Sequence, residues 1–349
     1  MRAICYGLAA SFFFAFTFIL NRAMDLGGGN WVWSATLRFI FMAPMLLLLV
    51  LLRGQLAQSL RHLRQYWSGY LLWSTVGFGL FYAPLSLAGA YGEGWLVAGS
   101  WQITIIAGSL LIPLFKQPIS TPDGTQQVRG KIPFKGLRWS LLILLGVVLM
   151  QWQHAQALSL QQALWCILPV TLAAFMYPLG NRKMMDICQG DVDTLQRVLN
   201  MTLASLPFWL LLSYYGWSQT GWPSQMQINQ SLLVALFSGV IATLLFFAAT
   251  NLVKKDYSKL AAVEATQSGE VLFALLGEML WLAAPLPTGL SLLGIGLVVV
   301  GMIVHSVAPF IGRHSTFKSP AATTIASDVA IGKTGCHNTG QQGNGSRNQ

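Results

Sequence analysis

The stretch Tyr257–Trp281, YSKLAAVEATQSGEVLFALLGEMLW, decides how the chain is read. It is long and apolar enough to cross a bilayer, since about 20 predominantly apolar helical residues span the hydrocarbon core. It nevertheless carries Glu264, Glu270 and Glu278, with Gln267 and Ser268 among them. A carboxylate at the centre of a membrane helix costs about 2.5–3.5 kcal/mol on insertion scales, and less near the ends. At 3.6 residues per turn, Glu264, Gln267, Ser268, Val271 and Glu278 share one face, and Glu270 lies beside it. That polar stripe is expected to face a bundle interior or a cavity rather than lipid. Glu264 and Glu270 are the candidate coupling or transport carboxylates. The competing reading is that these glutamates only pair with basic residues to hold helices together. Glu278, near the far end, reads as a packing or interfacial group.

The rest of the composition agrees with a membrane setting. The 349 residues are 54% apolar and 9% charged, with a mean hydropathy of +0.56, which marks a polytopic membrane protein rather than a soluble domain. The net charge of +10 would suit nucleic acid, but the basic residues sit in short loops between apolar runs, so no nucleic-acid partner is expected. Cys5, Cys166, Cys188 and Cys336 show no C-x-x-C and no metal-ligand spacing, and the five histidines are scattered. No metal, cofactor or disulfide framework is expected. The apolar run Ala3–Leu20 is too long for a signal peptide's core and ends in Asn21-Arg22 rather than a small-residue cleavage site, so it reads as a first span.

Ten apolar segments can be drawn, at about 3–21, 32–52, 68–91, 94–115, 136–152, 162–181, 195–216, 230–252, 258–281 and 287–309. With the N-terminus inside, 17 Lys and Arg near the spans fall on the cytoplasmic side, against Arg22 and Arg38 on the outer half. That bias is the positive-inside pattern, and it alternates correctly loop by loop. The expectation is a multi-pass protein of the cell's plasma membrane with both termini cytoplasmic. Residues 116–135 read as a cytoplasmic loop and 313–349 as a disordered cytoplasmic tail rich in Ser, Thr, Gly, Asn and Gln. The tail's Gly332-Lys333-Thr334 lacks the upstream glycine and preceding strand of a phosphate-binding loop.

The two halves echo each other. Asn21-Arg22-Ala23-Met24 aligns with Asn181-Arg182-Lys183-Met184, and Leu72, Ser74, Val76 and Leu80 with Leu236, Ser238, Val240 and Leu244. Gln102 aligns with Gln267, and Ser140-Leu141-Leu142 with Ser291-Leu292-Leu293. The order of matches and the nearly constant offset point to an internal repeat. The first repeat would comprise spans within 1–115 and the span 136–152; the second would be 162–310. Five spans per repeat would insert the second upside down, and inverted repeats are a mark of secondary transporters, with substrate near the midplane. The expected fold class is all-α, ten transmembrane helices in two inverted five-helix repeats. The carboxylates belong to the second half, because Glu264 and Glu270 align with Gly99 and Ile105.

With these residues in view the chain resembles the drug/metabolite transporter superfamily in its ten-span EamA-like form. The likeness rests on the break Ala88-Gly89-Ala90-Tyr91-Gly92-Glu93-Gly94, on Leu145-Gly146-Val147-Val148-Leu149, on Tyr177-Pro178-Leu179-Gly180-Asn181-Arg182-Lys183 and on Gly269–Glu278. It covers about residues 3–308, and the segment 267–278 is most similar to the multidrug resistance efflux transporter group. Many relatives carry Glu-Pro where this chain has Gly269-Glu270, so here a glutamate rather than a proline enters the midplane.

Other residues complete the expected site. Gln102 and Gln267 would sit at symmetry-related positions. Asn21, Tyr82, Trp101, Tyr177 and Asn251 are cavity candidates, with hydrogen bonding between helices as the alternative for the amides and phenols. Arg22, Arg38 and Glu93 would form an outer ion pair or gate, or the arginines would simply reach the interface. One or two of Phe12, Phe13, Phe14, Phe16 and Phe18, or Trp95 and Trp101, could cage an organic cation beside a carboxylate. The function these point to is a secondary active transporter, exporting small amphipathic or cationic compounds or metabolites by proton antiport through a span-9 glutamate. A metabolite importer or exchanger of the same fold and a non-transporting sensor or partner subunit are the alternatives. The partners are a small-molecule substrate, the lipid bilayer and protons, in a monomer or homodimer. No obvious positive charge lies at the midplane, which favours neutral or cationic cargo. No catalytic set is evident, so an enzyme is not expected.

Overall fold

In a computed structural model the described residues are 2–121, 124–129, 134–157, 160–253, 266–287 and 289–311, together with 132 and 263. Glu264 and the expected tail 313–349 lie outside them. The order is α1 (Arg2–Leu26), α2 (Trp31–Leu52), α3 (Leu56–Gln65), α4 (Trp67–Gly89), α5 (Gly94–Trp101) and α6 (Ile103–Leu110). Then come a hairpin of β1 (Lys116–Thr121) and β2 (Gly124–Arg129), α7 (Phe134–Ala157), α8 (Leu160–Cys188), α9 (Thr194–Thr220), α10 (Gln225–Thr250), α11 (Gly269–Trp281) and α12 (Leu290–Ile311).

Six of these helices, α1, α2, α4, α8, α9 and α10, are long and apolar enough to cross a membrane. The other four expected spans are shorter or interrupted among the described residues. The apolar parts of α7 and α12 run over Ser140–Gln153 and Leu290–Val304. The expected span 94–115 breaks at Gln102 into α5 and α6, and the expected span 258–281 is described from a 3₁₀ turn at Thr266–Ser268 into α11. The region read as a plain loop, 116–135, contains the antiparallel hairpin, paired from Lys116↔Arg129 to Thr121↔Gly124. The fold is otherwise helical among the described residues, and this hairpin is an addition within a connection. The segment alternates no apolar face that would have announced a strand, although Pro122-Asp123-Gly124 is a turn signal.

Local chemistry sets the helix ends. The Asn30 side chain accepts from Val32 N at 2.8 Å to start α2. Asp193 and Gln196 form a reciprocal capping box at the start of α9, both bonds at 2.8 Å. Gly221, at φ +72°, ends α9 in the left-handed region that glycine adopts freely. Inside α4 and α10 the winding loosens to π at Thr75–Gly79 and Ala235–Ala242.

Close packing follows from small residues. A Cβ built on Gly77 of α4 would lie 3.2 Å from the Gly180 backbone of α8, and one built on Gly294 of α12 would lie 2.6 Å from the Gly146 carbonyl of α7. In a bilayer, where lipid tails are as apolar as leucine, such backbone-to-backbone approach is a main source of helix association. The core is anchored by Trp209, stacked on Phe39 at 4.4 Å between centroids, with Phe78 and Tyr82 against the same Phe39 ring.

Connections meet in two groups. Trp33 of α2 donates to the Gly221 carbonyl at 3.1 Å and stacks on Trp222, while Gln227 donates to the Asn30 carbonyl at 2.7 Å. Glu278 of α11 reaches the start of α5, and Gln153 of α7 accepts from Ser291 N at the start of α12. In the other group, Gln58 of α3 donates to the Asp191 carbonyl at 2.8 Å, and Ser59 donates to Asn200 of α9 at 2.7 Å. There Asn200, Tyr70, His62 and Cys188 continue one buried polar chain.

Candidate functional site: a charged cavity between the helices

A cavity of about 370 Å³ is lined by residues of α1, α2, α4, α5, α6, α8, α9, α10, α11 and α12. Its wall includes Glu270, Gln267, Gln102, Trp101 and Tyr177, all singled out from sequence, together with Arg38. The helix irregularities are part of why these groups face inward. Gln102 sits at the α5–α6 break, where its amide donates to the Ala98 carbonyl at 3.1 Å, and Gln267 sits in the 3₁₀ turn that leads into α11. Glu270 follows in the first turn of α11 and is 4% exposed. The Gln267 amide nitrogen has no hydrogen-bond partner among the described residues.

An aromatic corner lines the same space. Phe81 packs on Trp101 at 5.0 Å and on Tyr177 at 4.8 Å between centroids, and Trp101 meets Tyr177 edge-on at 5.5 Å. Of the five phenylalanines of α1 considered for an aromatic cage, Phe14 and Phe18 reach the cavity wall. Phe12, Phe13 and Phe16 pack instead among one another and against Phe237, Phe273 and Trp281. Trp95 is buried in the core, away from the lining.

Arg38 departs most from expectation. Considered as part of an outer gate with Arg22 and Glu93, it is 7% exposed and forms part of the cavity wall. Its Nη1 donates to Thr17 Oγ1 at 3.0 Å, and that hydroxyl donates on to Ser238 Oγ at 2.5 Å. The guanidinium lies over the Tyr82 ring, 4.1 Å from its centroid. Arg22 pairs with Asp25 at 3.0 Å. A buried arginine in the cavity wall, lying over a tyrosine ring, departs from the expectation of no obvious positive charge there. Arg182, donating to the Gly108 carbonyl at 2.6 Å, adds a second cation to the wall.

Tyr82 and Asn21 stand behind Arg38 rather than in the lining. Tyr82 is fully buried, and the Asn21 amide approaches its hydroxyl at 3.4 Å. Glu278 lies apart from Glu270: its two oxygens accept from Gly94 N at 2.6 Å and Trp95 N at 3.2 Å, capping the start of α5. Glu264 and the side chain of Asn251 lie outside the described residues. Among those described, no cluster of His, Cys, Asp and Glu is arranged to hold a metal.

What sequence reasoning missed was the wall beyond its polar list: Thr17, Phe81, Arg182 and Ser238, and the inward turn of Arg38. The signal available for Arg38 was its place inside a span, since an intramembrane arginine marks a functional site by default.

Long apolar helices around a buried, charged and aromatic-lined cavity define a membrane transporter. The chain belongs to the family described as "EmrE: Putative multidrug resistance efflux transporter", whose model matches residues 1–309. It is 54% identical over 308 residues to the uncharacterized protein YjlA of Bacillus subtilis (strain 168), covering 88% of this chain and 95% of that one. It is 47% identical over 270 residues to an uncharacterized 42.1 kDa protein of Shouchella clausii, covering 77% and 70%. A protein known by its crystal structure shares the fold at a TM-score of 0.59 and 12% identity, over 91% of this chain and 98% of that one.

Proposed function

We propose that the chain is a secondary active transporter that exports small amphipathic compounds by proton antiport, with Glu270 as the group that carries the proton. The observation that carries this reading is that one cavity wall holds Glu270, Gln267, Gln102 and the aromatic corner of Phe81, Trp101 and Tyr177. A buried carboxylate with no ion-pair partner among the described residues is costly when charged, so proton and cargo compete for it.

Ten crossings in two inverted repeats fit this reading. The two π segments, Thr75–Gly79 and Ala235–Ala242, begin at the offset near 160 that aligns the halves, and Gln102 and Gln267 both fall at helix irregularities on the cavity. The two groups of connections agree as well. Each of these contacts pairs residues expected on the same side: 30–33 with 221–227, 94 with 278 and 153 with 291 outside, and 58–59 with 191–200 inside. Wall residues close to helix ends, such as Ser109, Arg182, Val198 and Phe247, come from ends expected to be cytoplasmic, which supports loading from inside.

The test is proton movement in the full chain reconstituted in liposomes, with an imposed pH gradient and a panel of amphipathic compounds. Wild type should release protons as it takes up cargo, and Glu270→Gln should bind cargo more weakly and release no proton. Cargo uptake in Glu270→Gln that still responds to the pH gradient would remove Glu270 from the coupling role.

A further inference from the structure

We infer that Arg38 is the second pole of the binding site, and that the cargo is a dipolar amphiphile: its anionic group meets Arg38 and its cationic group meets Glu270. The inference rests on the transporter reading above and names the substrate class of that same cavity.

A guanidinium and a carboxyl group line one cavity of about 370 Å³. Each is buried, Arg38 at 7% and Glu270 at 4% exposure. The ion pairs among the described residues join Arg22 to Asp25 and Arg53 to Asp193, so neither pole is used by the other or by a neighbour. Isolated charges away from water are strongly disfavoured, and a cavity whose wall carries both groups is matched by a ligand that supplies both counter-charges.

The arginine is built for this. Thr17 and Ser238 hold one Nη nitrogen through consecutive hydrogen bonds of 3.0 and 2.5 Å, and the Tyr82 ring supports one face of the guanidinium at 4.1 Å. Its Nε has no hydrogen-bond partner among the described residues. A guanidinium with a buried, unpartnered donor keeps hydrogen-bonding capacity that a carboxylate can satisfy, and arginine forks bind carboxylates with two parallel hydrogen bonds. Phe81, Trp101 and Tyr177 then take the apolar body. The cationic group is what competes with the coupling proton at Glu270, so a purely anionic cargo would leave that competition without a cause. A purely cationic one would be repelled by Arg38.

The experiment is equilibrium binding of naphthyl probes, read by their fluorescence, to the full chain in phosphatidylcholine nanodiscs, so that no anionic lipid competes for Arg38. The probes are 2-naphthylmethanol, 2-naphthoate, 2-naphthylmethylammonium and two zwitterions, 3-(2-naphthyl)alanine and 6-(aminomethyl)-2-naphthoate, whose charges are close together and far apart. At least one zwitterion should bind 10-fold or more tighter than either singly charged probe. Arg38→Gln should weaken that zwitterion about 10-fold while leaving the ammonium probe unchanged or tighter. Thr17→Val, which frees the guanidinium without removing it, should weaken it by a smaller factor. Equal binding of the ammonium probe and both zwitterions to wild type overturns the inference without any variant. So does a zwitterion affinity that Arg38→Gln leaves intact. If none of the five probes binds saturably, the transporter reading of this cavity fails along with it.

Discussion

At the scale of single residues, chemistry separates two glutamates only eight positions apart. Glu270 opens onto the cavity, whereas Glu278 is consumed by the backbone amides of Gly94 and Trp95. Glu278→Ala should leave two buried donors unpaired at about 1–3 kcal/mol each, and the thermal midpoint of the solubilised protein should fall by several degrees. Glu278→Gln keeps an acceptor for one of those donors and should lose less. By contrast Arg22→Ala, which breaks a pair whose side chains are 24% and 28% exposed, should shift the midpoint little, because such pairs are worth about 0–1 kcal/mol. The polar stripe itself was legible in the sequence, since helical periodicity puts Gln267 and Ser268 on one face with Glu270 beside it. Which glutamate meets the cavity was not, because that depends on where α5 begins relative to α11.

At the scale of elements, glycine crossings and one buried histidine carry the predictions. Gly294→Val should prevent α12 from approaching α7, since even a single Cβ would meet the Gly146 carbonyl at 2.6 Å. The expected outcome is loss of the folded species on size-exclusion chromatography, with Ser291→Ala as a tolerated control nearby. His62 of α3, outside the long apolar helices, has its pKa held below the usual 6.5 by burial, which outweighs the opposing effect of Asp191. The unfolded chain therefore takes up the proton first as pH falls below about 6.5. Stability should be highest above that pH and decline on acidification through it, until the folded form also protonates. Thermal midpoints measured from pH 7.5 to 5 should show the decline in wild type, and His62→Asn should flatten it. α3 and the hairpin are the elements that mean hydropathy does not reveal. One is a short amphipathic helix whose Leu56, Leu60 and Leu63 recur at helical spacing, a signal in the sequence too short to read as a span; the other is a strand pair with no apolar face.

For the whole molecule, the prediction concerns sidedness. In a cysteine-free variant, Trp222→Cys, at an 81% exposed position, should react with a membrane-impermeant maleimide in intact cells. Arg61→Cys, on the exposed side of α3, should react only after permeabilisation. Labelling of both from outside would break the alternation that the basic loops imply. The sequence alone determined the membrane setting, the long apolar helices and the stripe of polar groups near Glu270. Each of these follows from composition and local period, which every residue carries with it. Tertiary structure decided the rest: that α5 and α6 break at Gln102, that Glu278 serves a helix end, and that Arg38 joins Glu270 in one cavity. Those outcomes depend on which side chains from distant segments share a space, and an arginine five or so residues into a span can reach either interface or interior. Tyr82 and Thr17, supplied by two other helices, turn it inward.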